Sequence, residues 1–169
     1  MKLDSRWTSR DILALAVKAE IDAADLYAAL QRSVRSRLLG RKLEFLIFEE
    51  KKHRRILEKL YSQRFAGQTL SLPPTSFLPP ALQVEPAALT VPQLFRTALQ
   101  AEKYSEEFYR SGAKVMSDEA GRKMLEYLAR VERSHYFLVK SEIDLLDKFP
   151  DSYKVEEADL GEELIHVGP

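Results

Sequence analysis

The feature that most constrains this chain is a spacing that occurs twice. Glu50-Lys51-Lys52-His53 and Glu132-Arg133-Ser134-His135 each set a carboxylate and an imidazole three residues apart. Thirty residues upstream of each lies a lone glutamate in an apolar run, Glu20 before Glu50 and Glu102 before Glu132. On a helix, residues three apart share a face, so each pair points one way. One glutamate from each of two helices, with Glu-x-x-His from each of two others, is the ligand set of a dinuclear metal site inside a helical bundle.

The periodicity around these residues is helical throughout. Thr8 and Ser9 cap a first helix expected over about 9–33, whose inward stripe reads Leu13, Val17, Glu20, Ala24 and Tyr27. A second, over about 37–66, carries Leu43, Leu46, Ile47, Glu50, His53, Leu57 and Leu60 along one face. Thr90-Val91-Pro92-Gln93 starts a third helix over about 91–113, with Phe95, Leu99, Glu102 and Tyr109 inward. Ser117-Asp118-Glu119 caps a fourth over about 118–149, which stops at Pro150 and has Leu125, Leu128, Glu132, His135, Val139, Ile143 and Leu146 on its stripe. The tail, 150–169, is expected to add at most one short helix around 156–165.

Between the second and third helices, 67–90 is different in kind. Six of the eight prolines lie between Pro73 and Pro92, mixed with Leu72, Phe77, Leu78, Leu82 and Val84. Such a segment is extended. At about 3.3 Å per residue it reaches on the order of 80 Å, against about 40 Å for a helix of this length. It is long enough to run the whole bundle, and its apolar residues place it on the bundle surface. Neither hairpin can bury its own stripe alone, so the 169 residues form a single domain.

The two halves repeat. A shift of 82 carries Ala19-Glu20 onto Ala101-Glu102, Tyr27 onto Tyr109, Leu43 and Leu46 onto Leu125 and Leu128, and Glu50 and His53 onto Glu132 and His135. Matches fall on the inward stripe and little else. The expected fold is all-α: two helical hairpins joined by a long crossover into a four-helix bundle of the ferritin-like type.

Charge then bears on the site. Four glutamates in a bundle core would cost several kcal/mol each if left unpaired. Four carboxylates and two neutral imidazoles carry −4, which two divalent cations cancel. Glu50 and Glu132 are read as bridging ligands, with Glu20 and His53 completing one ion and Glu102 and His135 the other. Nitrogen and oxygen ligation suits iron, with manganese as the other choice. The chain has no cysteine, which excludes disulfides, zinc–thiolate sites, thiol nucleophiles and cysteine-ligated iron. Tyr27, Tyr109 and Glu49 are the groups expected to orient the ligands, Glu49 by reaching a histidine of the opposite hairpin.

The alternatives are blander. Glutamate makes up about a tenth of the chain, and the third histidine also has one three residues before it, in Glu163-Leu164-Ile165-His166. No apolar stripe surrounds that pair and residue 133 is Arg133, so it is read as coincidence. A metal-free scaffold with buried ion pairs, serving as a partner-binding module, is the competing account of the other two. Nine basic residues between Arg32 and Arg55 are read as a solvated face rather than a dock for an acidic electron donor. Lys plus Arg and Asp plus Glu are both 26, so no field of one sign recruits nucleic acid. The amino terminus runs straight into charge and no long apolar stretch follows, so neither a membrane nor a secretory route is expected and the location is read as cytoplasmic.

On Ala19-Glu20, Glu50-Lys51-Lys52-His53, Ala101-Glu102-Lys103-Tyr104 and Glu132-Arg133-Ser134-His135, residues 9–148 resemble the rubrerythrin branch of the ferritin-like superfamily. The resemblance implies a non-haem diiron site that reduces hydrogen peroxide or activates dioxygen, in a homodimer. Two features depart from the pattern. Rubrerythrins carry a cysteine-ligated rubredoxin domain as electron relay, which a chain without cysteine cannot form, so a separate electron-donor protein is implied. They also place a glutamate three residues after the third-helix ligand, where this chain has Ser105, with Glu106 next to it. What remains resembles the simpler diiron core of bacterioferritins, which makes a ferroxidase the second reading of the same site.

Overall fold

The computed structural model describes residues 7–78 and 88–151. It contains four helices and, among the described residues, no strand: α1 Ser9–Ser33, α2 Arg37–Arg64, α3 Val91–Val115 and α4 Glu119–Lys148. Each start follows from its cap. Thr8 and Asp11 form a reciprocal capping box at α1, as do Thr90 and Gln93 at α3. Ser36 accepts from the Leu39 N–H at α2 and Asp118 from the Gly121 N–H at α4.

The sequence-based bounds differ from these by two residues at most. α2 ends at Arg64 rather than 66, because residues 65–68 form a turn closed by the Gln68 N–H on the Phe65 carbonyl. Gly67 supplies that turn's positive φ of 78°. The short helix expected within 150–169 falls outside the described residues, as do Leu82, Val84 and the pair Glu163 and His166.

α1 packs on α2 and α3 on α4 as two hairpins, and α1 lies against α3. The core divides into two apolar clusters. One joins Ile12, Leu13 and Val17 to Leu57, Tyr61, Phe108, Tyr109, Leu125 and Leu128. The other joins Tyr27 and Leu30 to Leu43, Leu46, Val91, Phe95, Val139 and Ile143. The start of α1 therefore shares one end of the bundle with the ends of α2 and α3, and α3 begins at the other end. Helix directions run up, down, down, up, so the crossover must travel the length of the bundle.

What is described of that crossover lies on the bundle. Phe77 stacks on Phe108 with ring centroids 3.8 Å apart, Leu78 is buried, and Leu70 packs beside the first cluster, although Leu72 stays exposed. The Tyr61 hydroxyl bridges these parts by donating to the Thr69 carbonyl and accepting from Arg10 Nε.

The 82-residue repeat exchanges the clusters. Leu43 and Leu46 in one correspond to Leu125 and Leu128 in the other, and Leu13 and Leu57 correspond to Phe95 and Val139. That exchange is what a two-fold axis across the middle of the bundle requires. The axis passes through the layer between the clusters, where the charged residues sit.

Candidate metal centre

Glu20, Glu50, His53, Glu102, Glu132 and His135 all lie in this layer, and none is more than 3% exposed. Helical geometry puts them there. Glu20 takes the place of an apolar residue seven after Leu13 and seven before Tyr27 on α1, and Glu102 does the same between Phe95 and Tyr109 on α3. On α2 and α4 each histidine lies three residues beyond its glutamate, almost one turn, so both side chains enter the layer together.

His53 Nδ1 is 3.4 Å from one carboxylate oxygen each of Glu20, Glu50 and Glu132. His135 Nδ1 is 3.0 Å from Glu50, 3.7 Å from Glu132 and 3.8 Å from Glu102. The two rings stack 5.6 Å apart, centroid to centroid. The ligand atoms form two overlapping quartets, Glu20–Glu50–His53–Glu132 and Glu50–Glu102–Glu132–His135, with all atoms of a quartet within 4.8 Å of one another. Glu50 and Glu132 belong to both.

Hydrogen bonding divides each outer carboxylate into two halves. The Tyr27 hydroxyl donates to Glu102 Oε1 and the Tyr109 hydroxyl donates to Glu20 Oε1, each across from one hairpin to the other. Glu20 Oε2, Glu102 Oε2, both Glu50 oxygens, Glu132 Oε1 and both histidine Nδ1 atoms are buried with no hydrogen-bond partner. Buried polar atoms are almost always partnered, so eight in one layer, counting His53 Nε2, form a donor set that calls for cations. The imidazole–carboxylate separations, 3.0 to 3.8 Å, fall in the range spanned by ligands about 2.1 Å from one octahedral ion, which lie about 3 Å apart when adjacent and about 4.2 Å when opposite.

Electrostatics follow from the crowding. Burial, with the charges of Glu132 and Glu50, pushes the Glu20 and Glu102 carboxyls well above the usual range. Burial also acts to raise Glu50 and Glu132, yet the close approach of His135 and His53 outweighs it and holds both below the usual range. Burial works to lower the imidazoles. The carboxylates around them prevail, raising His53 strongly and His135 to about 11. Burial and the adjacent carboxylate raise the Tyr27 and Tyr109 hydroxyls well above the ordinary phenol value, so both stay protonated donors.

A family model of rubrerythrin matches residues 11–143. The chain belongs to the rubrerythrin family. Among solved structures it is similar to a hypothetical protein from Pyrococcus furiosus, with 32% identity and a TM-score of 0.77, covering 85% of this chain and 92% of that one. CopM in its Cu(II)-bound form superposes with a TM-score of 0.69 at 10% identity, covering 85% of this chain and 98% of that one. That second likeness extends to the fold alone. No curated protein matches the chain.

Of the remaining side chains, one departs from expectation and two others bear on the layer. Glu49 lies beside the histidine of its own helix, its Oε2 4.0 Å from His53 Nε2, and does not reach across to the other hairpin; position 49 is one turn before His53, so local geometry decides it. Glu106 does not stand in for the family glutamate missing at Ser105, because its carboxylate is paired with Arg110 and Arg133 outside the layer. Glu142, which sequence reasoning passed over, is buried and accepts from Lys42 Nζ at 2.6 Å, tying α4 to α2. Its only signal is a position seven residues after His135, on the flank of the stripe.

Other charges on α2 are locally balanced. Lys52 pairs with Glu49 and Arg54 with Glu58, each within a turn of the helix. Among the described residues no helix is long and apolar enough to cross a membrane.

Proposed function

We propose that this rubrerythrin-family protein holds two iron ions between its hairpins and acts as an oxidoreductase on hydrogen peroxide or dioxygen. Glu50 and Glu132, common to both quartets, would hold both ions, Glu20 and His53 would complete the ligands of one, and Glu102 and His135 those of the other. The observation that carries this reading is the sharing of Glu50 and Glu132 by two otherwise separate buried quartets.

The chemistry such a pair would supply, in the ferrous state, is two electrons to an oxidant. The protein's own groups do the rest. Tyr27 and Tyr109 fix Glu102 and Glu20 through Oε1, which leaves Oε2 of each turned to the layer. The apolar clusters above and below keep water from competing for the carboxylates. Reducing peroxide to two waters consumes two protons and two electrons. The electrons would return from a separate donor protein.

One observation favours a second reading, a ferroxidase that handles iron itself. With Ser105 in the family's extra glutamate position and Glu106 turned to Arg133, the centre is reduced to six protein ligands. The test is turnover. Protein loaded with ferrous iron under anaerobic conditions is given peroxide, then dioxygen, with a chemical reductant in excess. Many equivalents of peroxide consumed per chain support the oxidoreductase, whereas a single round of oxidation with continued uptake of added iron supports the ferroxidase.

A further inference from the structure

Behind the two histidines the two-fold relation between the hairpins breaks. Position 49 is a glutamate and its counterpart, position 131, is a valine; Lys52 likewise corresponds to Ser134. His53 Nε2 is turned to Glu49, is buried, and has no hydrogen-bond partner. The Glu49 carboxylate holds both its oxygens 3.2 and 3.3 Å from Lys52 Nζ. One turn before His135, Val131 offers an imidazole nothing that accepts a proton.

A neutral imidazole that binds a cation through Nδ1 carries its proton on Nε2. Behind His53 that N–H faces a carboxylate oxygen 4.0 Å away and has no other partner. A carboxylate accepting the outer N–H of a ligating histidine fixes the ring and raises its basicity, typically worth 10–100-fold in metal affinity.

We propose that Glu49 is a positioning residue that makes the two metal positions unequal, with the position served by Glu20 and His53 binding a divalent cation more tightly than the one served by Glu102 and His135. The inference rests on the dinuclear reading above and deepens it. An unequal pair fills in order: the first ion settles beside His53 and the second completes the centre.

The test is calorimetric titration of the full chain with cobalt(II) chloride, an air-stable divalent probe. The unsubstituted chain is expected to show two steps separated by about tenfold or more. Glu49→Gln, which keeps the shape and removes the charge, should weaken the tighter step by about 10–100-fold and leave the weaker one unchanged. Val131→Glu, which builds the same arrangement behind His135, should tighten the weaker step. A general structural role would move both steps together. Two equal sites in the unsubstituted chain, or an equal loss in both steps with Glu49→Gln, would overturn the inference. If the unsubstituted chain takes up no cobalt, the dinuclear reading falls, and with it this inference, before any variant is compared.

Discussion

The Tyr27 hydroxyl on α1 donates its hydrogen bond to Glu102 on α3, and Tyr109 on α3 returns the contact to Glu20 on α1. Neither tyrosine serves the glutamate of its own helix. Seven residues of helix separate Tyr27 from Glu20 by about 10 Å, beyond reach, whereas the antiparallel neighbour brings Glu102 alongside. The pair therefore ties the two hairpins together at the layer that carries the charge.

Removing that tie should be measurable in the metal-free protein. Tyr27→Phe leaves Glu102 Oε1 buried without its donor, and a buried acceptor so orphaned costs about 1–3 kcal/mol. Tyr109→Phe should cost a similar amount through Glu20. Chemical denaturation of each variant checks this; a change below about 0.5 kcal/mol in both would show that the hydroxyls contribute little.

Metal uptake should release protons. The surrounding carboxylates raise His53 strongly and His135 to about 11, and burial beside Glu132 and Glu50 raises the Glu20 and Glu102 carboxyls well above the usual range. Each group must be deprotonated to act as a ligand, so loading the site should release protons. Affinity should accordingly climb with pH across the neutral range. A pH-stat titration with a divalent cation reads the release directly, and a release near zero would contradict the raised values.

The metal-free fold should respond to pH in the opposite sense. His135 has a folded-state value of about 11 against 6.5 for an unperturbed imidazole, so its contribution is full below about pH 6.5 and is lost as pH rises toward 11. His53 and the raised carboxyls of Glu20 and Glu102 act in the same direction. Glu50 and Glu132, held low, contribute above the normal carboxylate range and lose that contribution in acid. Metal-free protein is thus expected to melt highest in mild acid and progressively lower toward alkaline pH, as thermal scans would record; a midpoint that rises from pH 6 to 9 would count against it.

Shared and outer carboxylates should behave differently when neutralised. Glu50 or Glu132 changed to glutamine removes a ligand from both quartets, and metal content should fall toward zero. Glu20→Gln or Glu102→Gln touches one quartet only and should leave about one ion per chain. Elemental analysis of the four variants distinguishes this pattern from uniform loss, which the shared geometry does not allow.

The crossover should contribute through Phe77. Its ring stacks on Phe108 at 3.8 Å between centroids, a contact worth about 0.5–1.5 kcal/mol beyond the area it covers. Phe77→Ala is expected to destabilise the chain by about 2 kcal/mol, and by denaturant titration no loss at all would mean the segment is not docked in solution.

Most of the site was legible because helical periodicity and a repeated spacing report the same faces. Glu20 and Glu102 stand where an apolar stripe demands leucine, and only burial beside the two Glu-x-x-His pairs accounts for them. Capping chemistry at Thr8, Thr90 and Asp118 located three helix starts for equally local reasons. What depends on one helix meeting another was not legible. Sequence spacing flagged Tyr27 but did not say that its hydroxyl would pass over to Glu102, and it aimed Glu49 across the bundle when the near turn of α2 already offered His53. Glu142 was missed for the same reason: a glutamate on a helix flank is buried or solvated according to its neighbour, here Lys42 on α2.

The central claim is a dinuclear centre built from six protein ligands, and the most direct measurement is the number of ferrous ions bound per chain under anaerobic conditions. The unsubstituted protein should bind two, and the Glu50→Ala, Glu132→Ala double variant, folded by circular dichroism, should bind none. One ion or none in the unsubstituted chain, or two retained in the double variant, would contradict the account.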